Sequence, residues 1–472
     1  MLLDKNCTVM RYVIPFAWEG SYQTQYTALE NDQRWQSTPI TKADVSLLPH
    51  MLETLHSQPA QNGIGSCWSY DFRNKRPKLQ YQEPGAEPVA LQIREMGIYL
   101  FYTNVGFLWY EPDLSRCREE MDAAQLIRLQ NRFKECSYTK DFFSLEQPRT
   151  EKAEPVYAPL DLATWLAETL TPLGQLLFLN GSCRKGDRLC PGKALIFQYA
   201  LFREGDRAAL TDAAYHLANG YTEKYLPPES MGQTVYEPFR DVCIYASHSG
   251  CGVYALENAG NSGFYSGNFA GNIRREYFAM YVLALYQSFS LMNYTRISGQ
   301  RFPADPALYR GSGELREQLD QFLGELNTFL MKGFHTTVSN VQHHNEFYEY
   351  LKGRLMIRED IDSIRTGTEA LVELQRAAEE EEEIRRDRAL NMAVAAFSLP
   401  AVLSAFLDLG ELIQTGKGIS WEDLLQKLCQ LDLSTIFAVV GSLGILALTI
   451  SCIVVFFRTY PSKKKKKKKK SR

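Results

Sequence analysis

Apolar and polar residues follow one pattern up to about residue 271 and another beyond it. In the first part, short runs rich in β-branched and aromatic residues are separated by clusters of Gly, Pro and Asn. Val9–Trp18 (VMRYVIPFAW) reads as a strand, and Gly97–Tyr110 as two strands around Thr103-Asn104. Ala194–Phe202, Asp241–Ala246 and Gly252–Leu256 add further strands; Ala123–Glu135 and Leu160–Glu168 predict helices. The dense punctuation at 58–65, 73–88 and 258–271 predicts an elaborated domain with long loops. From 272 onward the pattern is helical: Glu276–Ile297, then Gly313–Tyr350 with a break near Gly333. From Met356 to Leu407 the only proline is Pro400 and the only glycine Gly367, so a helix about 75 Å long is expected.

Within that last stretch Ile357, Ile361, Ile364, Thr368, Leu371 and Ala378 form a stripe suited to helix–helix packing. It gives way to Glu379–Glu383 and then to Arg385, Arg386 and Arg388. Glu381–Arg385 and Glu382–Arg386 have the favourable order for pairs along one helix face. Beyond them, Leu390–Leu407 and Ile436–Phe457 lack acidic and basic residues and are long enough to span a hydrocarbon core. Arginines precede the first, and Arg458 with Lys463–Lys470 follows the second, which places both termini in the cytoplasm of a two-span cell-membrane protein. The opening residues carry no apolar core of a secretory signal.

The predicted fold is therefore an α+β cytoplasmic domain, a long stalk helix and a transmembrane hairpin. Its segments are 1–271 (α/β domain), 272–389 (helical stalk), 390–413 (first span), 414–434 (external loop), 435–458 (second span) and 459–472 (polybasic tail). In the loop, Ser420-Trp421-Glu422-Asp423 with Leu424, Leu425, Leu428 and Leu431 predicts a short amphipathic helix.

Net charge is −3, but the tail supplies nine positive charges, so residues 1–462 carry −12. An acidic body argues against a nucleic-acid duplex as partner and would concentrate cations. The ten cysteines and seven histidines have no four-ligand zinc spacing. Cys183 and Cys190 are the closest pair, expected reduced; the adjacent His343 and His344 point different ways on a helix. No enzyme signature is present. Gly410, Gly416 and Lys417 lack phosphate-loop spacing, and Ser249-Gly250-Cys251-Gly252 has no base that sequence can assign to it. The run Asn258–Asn272 reads as a loop, with anion binding by its backbone as the alternative.

Continuing the stripe into the first span selects Asn391, Val394, Ser398, Ala401, Ala405 and Asp408 as a small, polar, pore-lining face. Asp408 and Glu411, near its outer end, are the candidate metal contacts.

The stretch Phe334–Gln342, Asn345–Tyr348 and Leu351, the long charged helix, the proline-bearing first span and the lysine-rich end together resemble the CorA-like divalent-cation transporter family. Asn104–Leu108 is similar to part of that family's N-terminal sheet. The resemblance implies a funnel-shaped cytoplasmic domain, a homopentamer, a pore lined by the first span and a divalent cation such as magnesium as cargo, with no covalent cofactor. The family's Gly-Met-Asn signature is replaced by Asp408-Leu409-Gly410-Glu411-Leu412, so magnesium selectivity is not implied. Two alternatives stay open: an effector of a defence system gated by a nucleotide or other small molecule, and a membrane-anchored interaction protein that conducts nothing.

Overall fold

The structure is a computed structural model. It describes residues 1–415 except 41–44, 58–62, 74, 86, 118–119, 139–141, 148–155, 259, 261–262, 304, 306–307 and 309–312.

Val9–Trp18 is buried at all ten positions and forms β1, in the middle of a mixed sheet of 14 strands. Its side chains alternate between the two faces. Val9 and Val13 join the core on one face, while Met10, Tyr12, Ile14, Phe16 and Trp18 join the core on the other. The strands that matter below are β2 (Gly65–Tyr70), β3 (Lys78–Tyr81), β4 (Val89–Phe101), β5 (Val105–Asp113), β6 (Leu195–Arg203), β7 (Val242–Ser247) and β8 (Gly250–Leu256). Across the sheet the order is Tyr236–Phe239, β7, β8, β6, β1, β5, β4, β3, Phe143–Glu146 and Tyr157–Pro159. β6 and β8 run parallel; the other pairs are antiparallel. The predicted hairpin is β4–β5, and its turn places Asn104 at φ 60°, a conformation Asn tolerates.

α1 (Ala123–Lys134) opens with a reciprocal cap between Asp122 and Gln125 and covers the Tyr12 face, where Tyr12 stacks 5.0 Å from Phe133. On the other face lies α2 (Phe278–Arg301), whose Tyr281 stacks 5.3 Å from Phe197 of β6. Two π-helical turns, Phe264–Phe269 and Ile273–Tyr277, lead into α2. α3 (Gly313–Lys332) and α4 (Gln342–Arg354) replace the single interrupted helix predicted over 313–350. Met356, at φ 55°, turns the chain into α5 (Ile357–Thr415), 59 residues long.

The chain divides into two compact units. Met1–Ala304 with Gly313–Val372 is the first, holding the sheet and both cores; Asp305–Ser312 with Glu373–Arg472 is the second. The predicted interhelical stripe is largely spent inside the first unit. Ile357 is buried, and Ile361, Ile364 and Leu371 pack against that unit's own core; the Thr368 hydroxyl bonds back to the Ile364 carbonyl.

One expectation is overturned. No helix among the described residues is long and apolar enough to cross a membrane. The fold class is corrected to a large mixed sheet with helices. The transmembrane hairpin, the cell-membrane location and ion transport by a membrane-spanning path fall with it. Along α5, Glu379–Glu383 and Arg385–Arg388 occupy the middle of the helix with charge, and of the first predicted span Phe397, Ala401 and the side chains from Ala405 onward lie outside the described residues. The second predicted span (435–458), the polybasic tail (459–472) and the external loop beyond Thr415 lie outside the described residues.

Candidate functional site

β4 is thirteen residues long, and two different strands share one of its edges. Residues 97–101 pair with β2, and residues 89–92 pair with β3. Between these ladders, residues 93–96 have no strand on that side among the described residues, and the Ile93 N–H is taken up by the Pro77 carbonyl at 2.9 Å. On the opposite edge, the register against β5 shifts between Ile93 and Glu95, which makes Arg94 the extra residue of a bulge. Bulges re-aim side chains at such places.

A crevice of about 380 Å³ opens where the two ladders part. Trp68, Tyr70, Phe72 and Trp109 supply aromatic wall, and Arg76, Arg94, Asp71 and Glu95 supply charge. The aromatic wall is braced: Tyr70 lies edge-on to Trp35 at 4.9 Å and to Phe72 at 5.0 Å. Trp68 gives its indole N–H to Ser66 Oγ, whereas the buried Trp109 Nε1 has no acceptor among the described residues. Both acids are engaged. Asp71 accepts from the Arg73 backbone N–H at 2.7 Å, and Glu95 pairs with Arg11 at 3.1 Å. The exposed Arg76 and half-buried Arg94 have no carboxylate or hydrogen-bond partner among the described residues. Cys67, also in the wall, is no nucleophile: burial pushes its thiol up to about 12.

Behind the crevice runs a buried ionic cluster. Glu95 and Glu111 stand opposite each other on β4 and β5, a repulsive pairing unless a cation joins them. Arg11 does so from β1. Its Nε donates to Glu111 Oε2 at 2.7 Å, its guanidinium lies 4.4 Å from the Trp109 ring, and its Nη1 donates to the Arg274 carbonyl at 2.7 Å. Arg274, in the second π turn, pairs with the other Glu111 oxygen at 3.0 Å.

Two residues along the same π turn, Glu276 makes a second buried connection. Its Oε1 accepts from the Ser46 N–H and Oγ–H, both at 3.2 Å, and Oε2 lies 3.2 Å from His344 Nε2 on α4. His344 Nδ1 is 3.2 Å from Ser339 Oγ. Serine, histidine and glutamate in this order have the connectivity of a hydrolytic triad. Yet Ser339 is 1% exposed, and its hydroxyl donates to the Ser46 carbonyl at 2.7 Å, so the group serves as a clamp.

Burial pushes the His344 imidazole down to about 4, with neighbouring His343 adding to the effect. The Glu276 carboxylate pulls the other way. It is already served by Ser46, and loss of water outweighs it, so burial favours the neutral imidazole. The unfolded imidazole gains its proton near 6.5 and the folded one near 4. This contribution to stability is thus complete above pH 6.5 and is lost as pH falls from 6.5 toward 4, by roughly 3 kcal/mol in all. Urea midpoints between pH 7 and 4.5 should fall more steeply for wild type than for His344→Gln.

The pore-lining and metal-contact residues singled out in sequence lie on α5 beyond Val372, in the second compact unit. Asn391 and Val394 are exposed on α5, and the half-exposed Ser398 hydroxyl returns to the Ala395 carbonyl at 3.1 Å. Ala401, Ala405, Asp408 and Glu411 belong to the same helix, with side chains outside the described set. Among the described residues no group of three His, Cys, Asp or Glu side chains could hold a metal ion. Cys183 and Cys190 face each other across the small hairpin Ser182–Lys185/Arg188–Pro191 as free thiols. Gly250 and Gly252 are glycine for packing, since an added Cβ would meet Ile196 or Tyr254. Part of the Asn258–Asn272 run forms the first π turn.

Comparison of the chain with protein-family models, curated proteins and solved structures finds no match.

Proposed function

We propose that this chain is a ligand-responsive binding protein, not an enzyme, and that the crevice at Arg94 takes a small organic anion bearing a flat ring. One observation carries the reading: Arg76 and Arg94 have no carboxylate partner among the described residues, at a cavity walled by aromatic rings. A half-buried guanidinium without a partner is held at a cost in solvation that a bound anion would offset. Aromatic faces favour a flat ring beside it. The volume is in the range of small-molecule sites. A binding role also fits the raised Cys67 thiol in the crevice wall, which is not an activated nucleophile.

The test is calorimetric titration of the full chain with adenosine 5′-monophosphate, with adenosine and inorganic phosphate as ring-only and anion-only arms. The nucleotide should bind more tightly than either fragment. Arg94→Ala should weaken it about ten- to a hundredfold, the loss of one charge-assisted hydrogen bond. Equal affinity in wild type and Arg94→Ala, or no binding by wild type, would overturn the reading.

A further inference from the structure

Resting on that reading of the crevice, we infer that its occupancy is relayed to α4 through the π-helical turn Ile273–Tyr277. The contacts form one continuous series within the first compact unit. Glu95 lines the crevice and holds Arg11 at 3.1 Å. Arg11 and Arg274 share the carboxylate of Glu111, which is 1% exposed. Arg274 and Glu276 sit in the same π turn, and Glu276 reaches His344 of α4 and Ser46.

The π turn is the element able to take two forms. Its i→i+5 bonds accommodate one residue more than an α-helical turn. Tightening to i→i+4 would rotate one side of the turn against the other by about 100°, the advance of one residue. Arg274 and Glu276 are anchored to different parts of the molecule, one to the sheet and the other to α4, and these anchors hold the π form. An anion bound at Arg94 lies beside Glu95 and repels its carboxylate. The carboxylate is driven toward Arg11, which seats Arg11 more firmly on Glu111 and Arg274. Ligand binding therefore stabilises the π turn and the docking of α4, a coupling carried by a two-state element.

Hydrogen–deuterium exchange of the full chain, with and without adenosine 5′-monophosphate, tests this. Amides of residues 342–354 should exchange several-fold more slowly when the nucleotide is bound to wild type. Glu276→Gln, which keeps the shape of the side chain outside the crevice, should bind the nucleotide with unchanged affinity and lose that slowing. Arg274→Lys provides an independent second break, and thermal melting confirms that each variant is folded. Bound nucleotide without slowing at 342–354 in wild type, or the same slowing in both variants, overturns the relay and leaves the binding reading standing. Failure of wild type to bind the nucleotide overturns the binding reading, and the relay with it.

Discussion

Glu111→Ala should be among the most damaging single substitutions in this protein, lowering stability by about 3–5 kcal/mol. Glu111 is 1% exposed and accepts from both Arg11 and Arg274, and Arg11 is itself 5% exposed. Removing the carboxylate leaves Arg11 with only the half-exposed Glu95 for compensation, in surroundings of Trp109 and Phe278 rings. A buried charge stripped of its main partner costs far more than the pair contributes. The double variant Arg11→Met/Glu111→Leu should accordingly be closer to wild type than Glu111→Ala alone. Urea denaturation is the measurement: the midpoint should fall with little change in slope. A loss below about 1 kcal/mol, the scale of an exposed ion pair, would mean the cluster is effectively solvated.

The second large effect is expected at Gly97, where β4 passes between two tryptophans. A Cβ there would lie 2.6 Å from Trp109 Nε1 and 2.7 Å from the Trp68 carbonyl oxygen. The indole could swing away, but the carbonyl belongs to the ladder between β2 and β4 and cannot move without breaking register. Gly97→Ala should therefore cost about 1–3 kcal/mol. It should also weaken nucleotide binding, because the displaced Trp109 forms part of the crevice wall. Thermal melting and the calorimetric titration read the two effects separately. Wild-type affinity in a measurably destabilised Gly97→Ala would place Trp109 outside the binding surface.

How much of this could be read in advance depends on how local the signal is. β1 is a ten-residue run apolar but for Arg11 and was legible to the residue; the β4–β5 hairpin announced itself by strand composition around Thr103-Asn104. The helices of the second half were equally plain, because periodicity and glycine breaks are local properties. The crevice was not legible. It exists because β2 and β3, close in sequence, attach to different halves of β4, a matter of pairing that composition does not encode.

One signal was nevertheless available: Arg11 is the single charge inside Val9–Trp18, and Glu111, of opposite sign, directly follows the apolar run Val105–Tyr110, which implies buried partners for both. The stripe along α5 shows the converse. Its spacing was read correctly as a packing surface, but spacing does not say whose surface it meets, and Ile361, Ile364 and Leu371 meet their own chain. Apolar length likewise misled at Leu390–Leu407, where no helix among the described residues proves apolar enough to cross a membrane.

The central place of β1 has a bearing on synthesis. Both of its long neighbours, β5 and β6, are translated after it, the second nearly two hundred residues later. At ribosomal speeds of roughly 5–20 residues per second, that interval is about 10–40 s. For that time a greasy decapeptide with two open edges trails from the ribosome without its mates. Nascent-chain chaperones should therefore engage this protein at Val9–Trp18, and until Leu195–Arg203 emerges.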